Sequence, residues 1–173
     1  MRAPVSAGVC RGLPRLLAIL ASAAVLLVLA ARLGRLFVWN VSPSLPRGLY
    51  VLRHAAMPLR GAIVTFQPPP RAAALITVRA YLPSGASLLK RVVGLPGDAA
   101  CVGHDSFSVN GHVLGSVASR DSMGRPLSPA SFCGQVPAGV AFVATSAPLS
   151  FDSRHFGPVP ISSLTVAVPV WTY

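Results

Sequence analysis

Sixteen consecutive residues, Leu16 to Ala31, carry nothing more polar than Ser22. Extended from Leu13 across Arg15 and Arg32 to Val38, the segment is long enough to cross a bilayer as a helix, with its arginines snorkelling to the interfaces. Arg2, Arg11 and Arg15 precede the apolar run, and Arg32 and Arg35 follow it. The positive-inside bias leans towards an amino terminus in the cytoplasm and the rest of the chain outside. This divides the sequence into a cytoplasmic tail (1–12), a transmembrane anchor (13–38) and an exported domain (39–173). A cleaved secretory signal ending near Leu29-Ala30-Ala31 is the competing reading. Arg32, Arg35 and the apolar Leu36-Phe37-Val38-Trp39 beyond them favour retention. Under either reading the remainder is exported.

That remainder has room for one domain with a core. Seventeen prolines and fifteen glycines argue against a helical bundle and for short strands joined by turns. Strands are expected at Leu49–Arg53, Gly61–Phe66, Leu88–Val93, Ala99–Gly103, Phe107–Val109, His112–Leu114, Val140–Thr145 and Leu164–Val168. Asn110-Gly111 predicts a type I′ hairpin turn, and Pro169 is expected to confine the end of the last strand to an edge. Arg71 to Tyr81 reads as a short apolar helix, and Val117 to Gln135 as polar loop. The expected fold is mostly β: one transmembrane helix, then an antiparallel, barrel-like β domain with a short helix. The net charge of +11 comes from arginines set against four aspartates and no glutamate. The arginines are scattered, without the interleaved aromatic platform of single-strand binders, so no nucleic-acid partner is expected.

Three stretches carry chemistry. Lys90 is the single lysine, set between Leu88-Leu89 and Val92-Val93. Either its head snorkels from a strand edge, or burial lowers its pKa and makes it a base, a role arginine cannot take. Ser44 lies between Pro43 and Pro46, twelve residues after Arg32. It belongs either to a Ser-Pro linker or to a stiff segment holding a nucleophile near the bilayer, with Ser42 placed to offer a hydroxyl to an oxyanion. Ser150-Phe151-Asp152-Ser153-Arg154-His155 is either a surface turn with an ion pair or part of a site. Of three cysteines, Cys10 is assigned to the cytoplasmic side and reads as inert; Cys101 and Cys133 either pair in an oxidising compartment or stay as two thiols. No spacing suggests a metal site, and no cofactor is expected. A Ser-His-Asp triad finds no recognisable context among the four histidines.

Taken together, the three stretches resemble the bacterial type I signal peptidases, which use a Ser/Lys dyad. The resemblance rests on Ser44-Leu45-Pro46, on Lys90-Arg91-Val92-Val93-Gly94-Leu95-Pro96-Gly97-Asp98, and on Asp152-Ser153-Arg154-His155-Phe156-Gly157. The spelling around Ser44, Pro-Ser-x-Pro-x-Gly-x-Tyr, is most similar to the small TraF-type branch of conjugative elements. Thr145-Ser146-Ala147-Pro148-Leu149 stands where the housekeeping enzymes carry a Gly-Asp-Asn run, and His155 fills a slot more often aromatic. The resemblance implies a serine endopeptidase in the inner membrane with its catalytic domain in the periplasm. Ser44 would be nucleophile and Lys90 base, with Asp152 a third catalytic candidate. Ser42 and the Ser44 amide would form the oxyanion hole, Ser150 would orient Lys90, and Arg154 would brace Asp152. Its partners would be the bilayer and a membrane-embedded precursor, foremost a conjugative pilin. The alternatives are a general signal peptidase, and a non-catalytic membrane-anchored part of a transfer apparatus. Autocleaving repressors use a similar dyad but lack an export anchor.

Overall fold

The computed structural model describes residues 13–34, 36–83 and 85–173. Expectations resting on residues 1–12, among them Arg2, Cys10 and Arg11, and on Arg35 lie outside the described residues. The chain divides into two units between Phe37 and Val38. In the first, α1 (Leu13–Gly34) is an uninterrupted helix with a mean hydropathy of 2.5 over its most apolar window, none of which is buried. Bare apolar surface of this extent marks a surface made for lipid or a protein partner. The helix stops at Gly34, short of the expected Val38, because Phe37, Val38 and Trp39 are strand formers and open β1 instead.

The second unit is built from β1 (Phe37–Asn40, which starts at the unit boundary), β2 (Gly48–Arg53), β3 (Ile63–Phe66), α2 (Pro70–Arg79), β4 (Leu88–Gly94), β5 (Ala99–Val102), β6 (Ser106–Val109), β7 (His112–Ser116), β8 (Phe132–Gln135), β9 (Val140–Ala144), α3 (Ser153–Phe156), β10 (Val159–Pro160) and β11 (Thr165–Thr172). Seven strands form an open half-barrel sheet in the order β1-β2-β11-β3-β4-β9-β10, and β7-β6-β5-β8 form a second sheet. Pairing is antiparallel throughout the registered ladders. The chain passes between the sheets at Pro96-Gly97-Asp98. There the Asp98 carboxylate accepts from Leu95 N at 2.6 Å and from Asn110 Nδ2 at 2.8 Å. Asn110 and Gly111 both have positive φ (52° and 79°), as a type I′ turn requires.

β4 is the central element. Its alternation points Leu88, Lys90 and Val92 to one face, and Val64 of β3 lies directly opposite Lys90. Leu88, Val92 and Val64 join Phe66, Val143, Val159 and Leu164 in the largest core cluster. α2 lays Ala72 and Ile76 inward, with Ile76 in the same cluster, so it covers the sheet rather than standing apart from it.

Two expectations are corrected. Phe132–Gln135, taken as loop, is the edge strand β8; Cys133, Gly134 and Gln135 are all exposed, so no apolar alternation marked it. β8 places Cys133 directly opposite Cys101 of β5, and the two are joined as a disulfide. Closing a loop over a sequence separation of 32 residues stabilises by about 4 kcal/mol in the chain-entropy account. Pro169, expected at the end of an edge strand, lies inside β11, which continues to Thr172. It is tolerated because β11 pairs with β3 only at Thr165 and Val166; beyond them its ladder runs along β2 alone, with a register shift between Pro169 and Trp171.

Gly48 opens β2 with φ 138°, and a Cβ there would sit 2.0 Å from the Trp171 carbonyl oxygen. Both the backbone conformation and the contact reject a side chain. Gly48→Ala is therefore expected to cost at least about 2 kcal/mol, read as a lowered midpoint in urea unfolding of the full chain. An unchanged midpoint would contradict the close β2–β11 approach.

Candidate active site

Ser44 lies in the turn between β1 and β2. Pro43 and Pro46 restrict the backbone on either side, and the neighbouring Leu45 is buried with Tyr50, Leu89 and Ala167. Tyr50, fully buried, donates from its hydroxyl to Pro46 O at 2.6 Å. Burial pushes the Tyr50 pKa up, with Arg91 pulling the other way, so the phenol stays a donor. Leu45 and Tyr50 thus fasten the turn from below and leave Ser44 half-exposed. Ser44 Oγ lies 2.9 Å from Ser42 Oγ, and the Ser44 amide donates to Ser42 Oγ at 3.3 Å. The two groups expected to serve an oxyanion are therefore adjacent to each other and to the Ser44 hydroxyl.

Lys90 reaches the same cleft from β4. It is 5% exposed, and its Nζ donates to Ser150 Oγ at 2.6 Å. Burial lowers its pKa to about 8; the Asp152 carboxylate opposes this shift and Arg154 reinforces it. A sizeable neutral fraction is therefore present near physiological pH. Ser42, Ser44, Lys90 and Ser150 all line one cleft of about 630 Å³, whose other walls include Ile76, Leu82, Leu127, Leu149 and Phe151.

Asp152 and Arg154 are placed differently. Neither lines the cleft, and their exposures are 0% and 2%. Asp152 Oδ1 accepts from Arg154 Nε at 2.9 Å and Oδ2 from Arg154 Nη2 at 2.8 Å. The guanidinium also donates to Ser116 O, Thr145 O and Ala147 O. Thr145 N in turn donates to Asp152 Oδ2. The pair therefore holds the 145–147 backbone, and Ser150 N closes a turn onto Ala147 O at 3.1 Å. Its geometry suits it to aiming Ser150, and through it the amine of Lys90. His155 stacks on Phe151 at 5.7 Å, with Nδ1 3.2 Å from Ser128 O, outside the cleft lining.

The sequence reading missed part of the cleft lining. Asp121 has a side chain only 5% exposed; it accepts from Tyr81 Oη at 2.6 Å and Arg125 Nε at 2.7 Å and pairs with Arg79. Hydrogen bonds from Tyr81, Arg125 and Met123 hold its carboxyl far below the usual carboxylate range, although burial opposes this. It ties residues 120–126 to the end of α2 and brings Asp121 and Ser122 to the cleft. Asp121 stands in the stretch read as loop, and one acid without a motif gives no signal. Among the described residues no cluster of three or more His, Cys, Asp or Glu is arranged to hold a metal.

Comparison with known proteins gives a consistent pattern. The family model for signal peptidase, peptidase S26, matches residues 11–172. A conjugal transfer protein TraF of Agrobacterium fabrum is 37% identical over 145 residues, covering 78% of this chain and 81% of its own length. A probable conjugal transfer protein TraF of Sinorhizobium fredii is 37% identical over 176 residues, covering 94% and 92%. The signal peptidase I V of Bacillus subtilis is 34% identical over 91 residues, covering 42% and 49%. A crystal structure of a signal peptidase I from Enterococcus faecalis superposes with a TM-score of 0.42 at 25% identity, over 67% of this chain and all of that one.

Two stability measurements test this geometry. Between pH 8 and the ordinary lysine value of 10.5 the unfolded chain holds a proton that folded Lys90 has released, so stability should rise with pH across that window. Relative to Lys90→Met, the native chain should gain about 1–3 kcal/mol from pH 7.5 to pH 10; parallel curves would mean that the amine is not desolvated. Asp152→Ala should cost about 3–5 kcal/mol, because it strands a buried guanidinium.

Proposed function

Because this chain belongs to the signal peptidase family, peptidase S26, we propose that it is a membrane-bound Ser/Lys endopeptidase that matures the pilin of a conjugative element. The family implies serine peptidase activity, and the relatives' names attach that activity to conjugation. The observation that carries the dyad is the desolvated Lys90 amine, hydrogen-bonded to Ser150 in the cleft that Ser44 also lines.

In the proposed reaction neutral Lys90 takes the Ser44 hydroxyl proton as Oγ adds to the scissile carbonyl. The Ser44 amide and the Ser42 hydroxyl turn from one another to the developing oxyanion. The carbon–nitrogen bond then breaks, the Lys90 proton passes to the leaving amine, and an acyl-Ser44 ester remains. Lys90 next deprotonates the second nucleophile, which is water in hydrolysis or an amine, such as the substrate's own amino terminus, in cyclisation. Ser150 keeps the Lys90 amine aimed, and the Asp152–Arg154 pair supports Ser150 from behind.

Several observations support the site of action. The exposed apolar α1 anchors the chain in a membrane. The Cys101–Cys133 bond fits an oxidising compartment, so the domain from about residue 39 is assigned to the periplasm and the anchor to the inner membrane. Trp39, Trp171 and Tyr173 form an exposed aromatic row, with centroid spacings of 5.8 Å and 5.1 Å, of the kind that settles at a lipid interface. The dedicated client is favoured over general secretion because the TraF relatives match along 78% and 94% of the chain, and the Bacillus signal peptidase along 42%.

Co-expression with the pilin of the same element, followed by intact-mass measurement, tests the reading. Processing is expected, with the mass of the trimmed chain for hydrolysis and one water less for cyclisation. Ser44→Ala, Lys90→Ala and Lys90→Arg should each abolish it, since guanidinium is no base near neutral pH. Activity should fall as pH drops below about 8, where Lys90 is protonated. An untouched pilin alongside trimmed secretory precursors would instead identify a general signal peptidase. If the native chain leaves both pilin and secretory precursors untouched, the protein is a non-catalytic component; processing by Ser44→Ala at the native rate would remove Ser44 as the nucleophile.

A further inference from the structure

The turn that presents Ser44 has almost no backbone pairing of its own. Between β1 and β2, the one backbone–backbone hydrogen bond outside the strand ladders runs from Tyr173 N to Arg47 O, among the described residues. A segment with so many free carbonyls keeps one shape only if something else satisfies them. One side chain does most of this. Asn40, the last residue of β1, is 6% exposed and points its amide into the turn. Its Oδ1 accepts from Ser42 N at 3.0 Å. Its Nδ2 donates to Ser42 O at 3.1 Å, Leu45 O at 3.0 Å and Pro46 O at 3.0 Å.

We infer that Asn40 is a positioning residue for the nucleophile: its carboxamide fixes the turn on both sides of Ser44 and so sets the aim of Oγ. This rests on the peptidase reading above. The contacts bracket the serine, touching residue 42 before it and residues 45 and 46 after it, while leaving Ser44 itself free to react. Two amide protons serve three carbonyls, so at least one is shared, which closes the turn into a ring around the Asn40 head. Through Ser42 the effect reaches the reacting atoms, because the hydroxyl fixed in this way contacts both Ser44 Oγ and the Ser44 amide. Asn suits this position on physical grounds. Its head donates and accepts in one plane, whereas aspartate has the same shape but no donors and would face three carbonyl oxygens. Asn40 shares no hydrogen bond with Lys90 or Ser150, so its removal should disturb the nucleophile without disturbing the base.

Asn40→Asp and Asn40→Ala in the full chain, embedded in detergent micelles, separate these effects. The probe is a fluorogenic peptide with alanine at the first and third positions before the scissile bond. A misaimed nucleophile costs rate rather than binding, so kcat should fall about 100-fold in both variants, with KM within about threefold. The pH at which activity is half-lost should stay where it is in the native chain. Native kcat in Asn40→Asp, or a fall in which KM or the pH limb moves with it, would overturn the inference. Hydrogen exchange gives a readout that needs no activity. The Ser42 amide should be protected in the native chain and in Ser44→Ala, and lose that protection when Asn40→Ala, which removes the Oδ1 acceptor, is added to either. Rapid exchange at Ser42 in the native chain would by itself refute the bracing. If exchange responds as expected but the native chain cleaves neither pilin nor peptide, the peptidase reading fails and the bracing stands. If the native chain cleaves and Asn40→Asp is unimpaired, the reverse holds.

Discussion

A buried ion pair outside the cleft underlies the arrangement within it. Arg154 and Asp152 are almost wholly removed from water, and such a pair persists only when every donor and acceptor is engaged. Here the guanidinium reaches the end of β7 at Ser116 and the turn after β9 at Thr145 and Ala147. Two sheets and the segment leading to Ser150 therefore meet on one cation. The pair holds the 145–147 backbone; Ser150 N closes a turn onto that backbone, and Ser150 Oγ accepts from the one lysine.

The cleft is assembled by two different kinds of constraint. Lys90 is set by a strand, whose alternation and register against Val64 leave its side chain no other direction. Ser44 is set by a turn that depends on side chains: Leu45 plugged into a small core, Tyr50 bonded to Pro46, and the Asn40 amide. A lysine held by a strand thus shares its cleft with a serine held by a handful of side-chain contacts.

What was legible in the sequence follows the same division. β4 announced itself through apolar residues flanking a lone lysine, and Asn110-Gly111 named its own turn type. The three short motifs marked Ser44, Lys90 and Asp152, and Lys90 and Ser150 did meet in one cleft with Ser44 and Ser42. Asp152 and Arg154 were legible as a pair, but whether they face substrate or core depends on long-range packing that local spacing does not encode. β8 was hidden because an exposed edge strand needs no apolar alternation. Pro169 misled because a proline inside a strand is excluded only where both sides of the ladder are occupied. Asn40 and Asp121 were invisible for a related reason: each works through carbonyls or partners distant in sequence, and a single Asn or Asp carries no mark of that.

The bond between Cys101 and Cys133 lies in the second sheet, away from the serine and the lysine, yet the loop it closes contains both Ser116 and Asp121. One of these accepts from the Arg154 guanidinium; the other lines the cleft. A newly made chain whose thiols are still reduced has neither segment covalently tethered. Oxidation of the two thiols therefore tethers, in one step, the segment that bonds the Arg154 guanidinium and the segment that brings Asp121 to the cleft. Two sulfur atoms that are no part of the cleft lining thus bound the chain segments on which that lining depends.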